Sequence, residues 1–293
     1  MAQEERVWLS SPSFPLSIIG AIVYAIPFLI IFYQTIIQYR AWFFTCVVFG
    51  AAMEVAGYAA RSYSAKFQYE VAPFAIQSTF IVIAPVFIAA GNYLLIGRLI
   101  RAVLPPTHHR IFRVPARLLT RIFVAFDVLS CLIQASGSGI ASSNDWEGST
   151  VETGTNVLIG GLSLQVATFT VYMCIFSRFH WLANRMEVED TPAGWRKVIL
   201  AVYVSSSLIL VRSVYRVIEF AQGIHGYAFT HEWIFWVFEA IPMLIAISIF
   251  CLYHPSRFLG RRGGMQHVEL AAKREQDSSA SSERRQDGGV LEV

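Results

Sequence analysis

Leu208-Ile209-Leu210-Val211-Arg212-Ser213-Val214-Tyr215-Arg216-Val217-Ile218-Glu219-Phe220 lies inside an apolar run of bilayer-crossing length, yet it carries two guanidiniums and a carboxylate. Arg212, Arg216 and Glu219 stand at i, i+4 and i+7, so on a helix they share one face. Each charge near a bilayer centre costs about 2.5–3.5 kcal/mol on insertion scales. Three on one helix therefore require compensation, either from partners on other helices or from a wet cavity. Where those partners lie decides how the chain folds.

Composition sets the class. The chain has 293 residues, 55% hydrophobic and only 15% charged, with a mean hydropathy of +0.51. That is too apolar for a soluble domain of this size and implies an all-α, polytopic membrane protein. An outer-membrane barrel is excluded, because its apolar signal alternates and is weak in each segment. Cys46, Cys131, Cys174 and Cys251 all fall in apolar runs without metal-ligand spacing, so they read as small hydrophobes. The N-terminus lacks the basic start and cleavage site of a secretory signal, and the first apolar run is expected to stay as a span.

Seven runs approach the roughly 20 apolar residues that a span needs. They are 16–37 with Pro27, 42–61, 73–96 with Pro85, 118–140, 156–180, 197–222 and 231–253 with Pro242. One seven-helix transmembrane domain is expected over 16–258. A short N-terminus precedes it over 1–15, and a tail follows over 259–293. The tail is rich in Ser, Glu, Arg, Gln and Asp, cannot bury a core, and is expected to be disordered. Lys and Arg placement orients the bundle. The segments between spans three and four and between five and six, together with the tail, hold most of the arginines. On the alternate side stand Arg6, Arg61 and Lys66. This predicts an extracytoplasmic N-terminus and a cytoplasmic C-terminus.

A rise of about 1.5 Å per residue ranks the intramembrane polar groups by depth. Glu54, Arg212, Arg216, Glu219 and Glu239 fall in the outer half, with Asp127 deeper. Asp127, Ser130, Gln134 and Ser138 form one stripe on the fourth span. Gln77, Asn92 and Gln165 add neutral partners. Arg216 is placed to pair with Glu219 on its own helix, leaving Arg212 to reach Glu54 or Glu239. Two readings stand together: an ion-pair network that fixes packing, and a polar cavity open to the outer leaflet. Ala52, Ala56 and Ala60 make a small-residue edge for helix packing. Trp42, Trp181, Trp195 and Trp233 read as interfacial belt residues.

Several blocks carry a family resemblance. They include Glu54-Val55-Ala56-Gly57-Tyr58-Ala59-Ala60-Arg61, Ala84-Pro85, Phe126-Asp127-Val128 and Gln134-Ala135-Ser136-Gly137. Gly160-Gly161-Leu162 with Gln165, Arg212 to Phe220, and Glu232, Glu239 and His254-Pro255 continue the series in order. The chain resembles the fungal lipid-translocating exporters, seven-span proteins named for resistance to aminocholesterol. Glu239 departs from the Asp expected there, which keeps a carboxylate. The resemblance adds Tyr58 and Arg61 to the candidate substrate-binding residues. It implies movement of, or tolerance to, amphiphiles such as sphingoid bases, aminosterols or porphyrins, at the plasma membrane or an endomembrane.

Three function classes compete. A translocator of membrane lipids or amphiphilic small molecules would hold a polar head in the charged zone, and the surplus of carboxylates suits a cationic head. No Gly-x-x-x-x-Gly-Lys loop is present for nucleotide use, and no cofactor or nucleic-acid partner is expected. A seven-helix lipid sensor shares the topology, but the chain has no Asp-Arg-Tyr triplet in span three and no Asn-Pro-x-x-Tyr run in span seven. An intramembrane enzyme would use Glu54 or Asp127 as an acid. Translocation without catalysis is the leading expectation.

Overall fold

The computed structural model describes residues 13–103, 110–111, 114–142, 149–186, 194–223 and 226–259. Among them are seven helices long and apolar enough to cross a membrane: Phe14–Gln38, Trp42–Lys66, Ala72–Val103, Leu118–Ala141, Thr150–Arg185, Trp195–Ala221 and Glu232–Phe258. They are called the first to seventh spans below. The proposed disordered tail from residue 260 on, and residues 143–148 of the loop expected at 142–155, lie outside the described residues.

Helix is the natural state of each run, because in hydrocarbon every backbone N–H and C=O must be satisfied within its own segment. Several spans outrun their apolar runs, the third and fifth by the most. The third continues to Val103, carrying Arg98 and Arg101 on its last turns. The fifth helix begins at Ser149 and ends at Arg185, so residues 149–155 are helical rather than loop. Two two-residue strands, Arg110–Ile111 and Val114–Pro115, pair antiparallel between the third and fourth spans, which the apolar pattern did not signal.

The third span is the hub. It packs on the second, fourth and sixth and touches the fifth, while the first closes the bundle by packing on the second and seventh. An aromatic cluster fills the inner junction, where Tyr93 meets Phe123 and Tyr172 at ring separations of 5.3 and 4.7 Å. Asn92 donates to Ser205 at 3.2 Å, and its carbonyl accepts from the Tyr172 hydroxyl at 3.2 Å, tying the third span to the sixth and fifth. The fourth and fifth spans cross backbone to backbone. A Cβ on Gly137 would lie 2.6 Å from the Leu158 nitrogen and 2.7 Å from the Gly154 carbonyl, so no side chain fits. On the second span the close approach runs through Gly50 and Gly57; Ala52, Ala56 and Ala60 are only half-buried.

Outward faces are apolar, as at Ile19, Ile22, Ile26 and Leu29 of the first span. Trp42, Trp181 and Trp233 are exposed near span ends, as expected of belt residues. Trp195 is a correction: it is buried in the core, because the turn at Gly194 (φ +91°) directs the start of the sixth span inward.

Three prolines shape the interior. Pro85 has no N–H to offer the carbonyl of Ile81 four residues back. Pro242 follows a widened π turn over Trp236–Ala240, a geometry that inserts a residue and redirects side chains. Pro27 sits in the first span, where its own carbonyl accepts from the Cys251 thiol at 3.4 Å. The break at Pro85 leaves the Ile81 carbonyl facing the charged zone.

Candidate functional site

Arg212 is the centre of the site. Its Nη2 donates to Glu239 Oε1 in a buried ion pair and to the Ile81 carbonyl at 2.9 Å. Ile81 is the carbonyl that Pro85 leaves without a helical donor, so a proline on the third span creates the acceptor that the sixth span's guanidinium fills. The π turn that precedes Pro242 presents Glu239 to the same point. Arg216 completes the cluster: its Nη1 lies 2.7 Å from Glu219 Oε2 and its Nε 3.4 Å from Glu239 Oε2. Tyr215 donates its hydroxyl to Glu219 Oε1 at 3.0 Å. Two guanidiniums and two carboxylates are thus joined in one chain of contacts. Burying such a set is tolerable only because it is paired throughout; deleting one member of a buried pair costs about 3–5 kcal/mol.

Glu54 lies beside this chain and does not join it. The carboxyl is 1% exposed, makes no hydrogen bond or ion pair among the described residues, and has its Oε1 fully buried without a partner. The charges acting on it are Arg212, Glu239 and Arg216. The alternative pairing of Arg212 with Glu54 is therefore not the one adopted. One turn on, Tyr58 is sandwiched, stacked on Tyr24 at 4.7 Å and on Trp236 at 5.6 Å. Tyr24 donates to the Ala240 carbonyl at 2.5 Å, next to Glu239.

A second polar node lies toward the end of the second span. Arg61 Nη2 is 3.0 Å from Glu232 Oε1, and its guanidinium lies over the Phe235 ring at 4.2 Å. Glu232 Oε2 accepts from the Ser13 backbone N–H at 2.9 Å, and its Oε1 from the Trp236 indole at 3.3 Å. One carboxylate thereby ties the first, second and seventh spans.

The remaining candidates stand apart from the arginines. Asp127 accepts from the Tyr93 hydroxyl at 2.8 Å and keeps a buried second oxygen without a hydrogen bond. Gln134 donates to Gln165 at 3.1 Å across the fourth and fifth spans. Gln77 is buried with an unpartnered amide oxygen. The stripe on the fourth span runs through Asp127, Ser130, Gln134 and the buried Gly137, whereas Ser138 is exposed. The charged zone is sealed in this conformation, not open as a vestibule: Glu54, Tyr58, Arg212 and Glu239 are each at most 4% exposed.

Residue pattern alone did not single out Tyr24, Tyr93, Tyr215 or Glu232 as site residues. Tyrosine in an apolar run looks like any aromatic core residue until the partner of its hydroxyl is known. Among the described residues no group of His, Cys, Asp and Glu is arranged to hold a metal, and all four cysteines are free thiols.

These features define a seven-span integral membrane protein with a paired, buried charge cluster. Residues 47–262 match the family model described as RTA1 like protein, and the chain belongs to that family. It is 35% identical over 209 residues to Protein RTM1 of Saccharomyces cerevisiae, covering 71% of this chain and 65% of that protein. It is 37% identical over 203 residues to Protoporphyrin uptake protein 1 of the same species, covering 69% and 65%. With Sphingoid long-chain base transporter RSB1, also of that yeast, it shares 27% over 258 residues, covering 75% and 66%. The chain thus spans slightly less than two thirds of the length of the first two relatives. No solved structure matches it.

Proposed function

We propose that this protein moves lipids or other lipophilic amphiphiles across the bilayer and so confers tolerance to them, acting as a translocator without catalysing a reaction. The observation that carries the reading is the Arg212–Glu239–Arg216–Glu219 cluster, four ion-paired side chains, three of them buried, within a membrane helix bundle. Intramembrane charges are expensive and mark pathways for polar groups. Membership of the RTA1-like family and likeness to a named sphingoid long-chain base transporter and a named protoporphyrin uptake protein support it. In this reading Glu54, Tyr58, Arg61, Gln77, Asp127, Gln134, Gln165, Arg212, Arg216, Glu219 and Glu239 handle the polar head. The apolar tail stays against the Phe, Ile and Leu side chains that face lipid. In this reading the N-terminus lies outside and the C-terminus inside, as Lys and Arg placement favours, and the protein acts at the plasma membrane.

The test is reconstitution in vesicles with a labelled sphingoid base. Wild type is expected to speed its transbilayer movement over protein-free vesicles, and Glu239→Gln to remove most of that gain. Equal rates with and without protein would end the proposal.

A further inference from the structure

The charge balance of the sealed cluster leaves Glu54 over. Arg212 and Arg216 are matched by Glu239 and Glu219 through direct contacts. Among the described residues Glu54 has no such partner, although it is as deeply buried as Glu239. Its position is well defined: Gly57, one turn along, lies against Ile81, the residue whose carbonyl holds Arg212. The Nε of Arg212 is itself buried without a hydrogen-bond acceptor, so a donor near Glu54 goes unused. An ionised, unpartnered carboxylate in this position would be prohibitively costly, whereas a neutral acid leaves the cluster at zero net charge.

The groups around it are few. The first span brings Tyr24, and the second span itself brings Tyr58. The sixth brings Arg212 and Arg216, and the seventh brings Glu239. The third span offers no ionisable side chain at this level; its Tyr93 lies about 18 Å further along the helix from Ile81. None of these adds a spare positive charge.

We infer that Glu54 holds a proton in the sealed state and gives it up when a cationic amphiphile head takes its place, so that the protein exchanges one proton for one monovalent ammonium head. This rests on the translocator reading above and names its substrate class as amphiphiles with a cationic nitrogen. The exchange balances: the carboxylic O–H bond breaks, its proton leaves for bulk water, and the carboxylate left behind pairs with the incoming ammonium. The cluster returns to zero net charge. A neutral or anionic amphiphile cannot make the exchange.

The experiment is calorimetric binding of a sphingoid base to the purified full chain, run at one pH in two buffers of different ionisation enthalpy. The N,N,N-trimethyl derivative, whose charge is fixed, is run in parallel so that any proton released comes from the protein. Wild type is expected to release about one proton per ligand bound. Glu54→Gln, close in shape to the protonated acid, is expected to unfold at nearly the wild-type temperature, release none, and bind about tenfold or more weakly, the loss of a charge pair. Glu54→Asp is expected to keep the release. Binding without proton release, or release unchanged in Glu54→Gln, overturns the inference. So does a large fall in unfolding temperature for Glu54→Gln, which would mean an ionised, structurally paired group. Base movement in vesicles together with any of these results leaves the translocator reading standing. Absence of that movement removes both.

Discussion

Arg212 does two jobs with one guanidinium nitrogen, neutralising Glu239 and satisfying the carbonyl orphaned by Pro85. Arg212→Ala is therefore expected to lower stability by about 3–5 kcal/mol, since Glu239 keeps only its longer contact to Arg216. Unfolding of the purified protein in detergent measures this. The second job is separable. Pro85→Ala restores an N–H for Ile81, so the cost of Arg212→Ala should shrink by about 1 kcal/mol in that background. A double-mutant cycle showing no coupling between positions 85 and 212 would refute the shared-carbonyl account. Spacing alone told that Arg212, Arg216 and Glu219 share a helix face. It left Glu54 and Glu239 as equal candidates for Arg212, because a one-dimensional depth scale carries no rotation about the helix axis.

Helix pairs are decided by a handful of small residues. At the crossing of the fourth and fifth spans, Gly137 and Gly154 each meet the other's backbone, and backbone cannot rotate away as a side chain can. Gly137→Val is expected to cost on the order of 1–3 kcal/mol or more by forcing the two spans apart. Gly160→Ala on the fifth span, where an added Cβ meets nothing within 4 Å, should be neutral. Comparing their unfolding midpoints checks the assignment. The alanine edge at Ala52, Ala56 and Ala60 is half-buried, whereas Gly50 and Gly57 are buried directly against the third span. The π turn before Pro242 is a further device at this scale, since no residue pattern announces the extra residue that turns Glu239 inward.

For the molecule as a whole, Glu232 gathers the first, second and seventh spans at one end of the bundle, and His254 gathers the first and seventh at the other. There the imidazole lies 3.1 Å from the Thr35 hydroxyl and stacks on Tyr39 at 4.9 Å. In the orientation proposed from the Lys and Arg bias, the Glu232 end is extracytoplasmic. In a variant with the four natural cysteines replaced, a membrane-impermeant maleimide is expected to label Thr230→Cys on intact cells. Arg257→Cys should label only after permeabilisation. The opposite pattern would invert the bundle and, with it, the side from which Glu54 meets its proton.

The sequence by itself determined the class, the seven spans, the polar zone and the family resemblance. Each of those is written in runs of one-dimensional character: apolar length, charge within it, and motifs in order. The span bounds at Val103 and Ser149 are less legible, because helix can continue past the end of an apolar run. Only the tertiary structure decided which carboxylate Arg212 takes, that Asp127 belongs with Tyr93, and that Glu54 is left without a partner. Those outcomes depend on the rotation and crossing of helices far apart in the chain, set by glycine contacts and proline breaks. No local pattern encodes them.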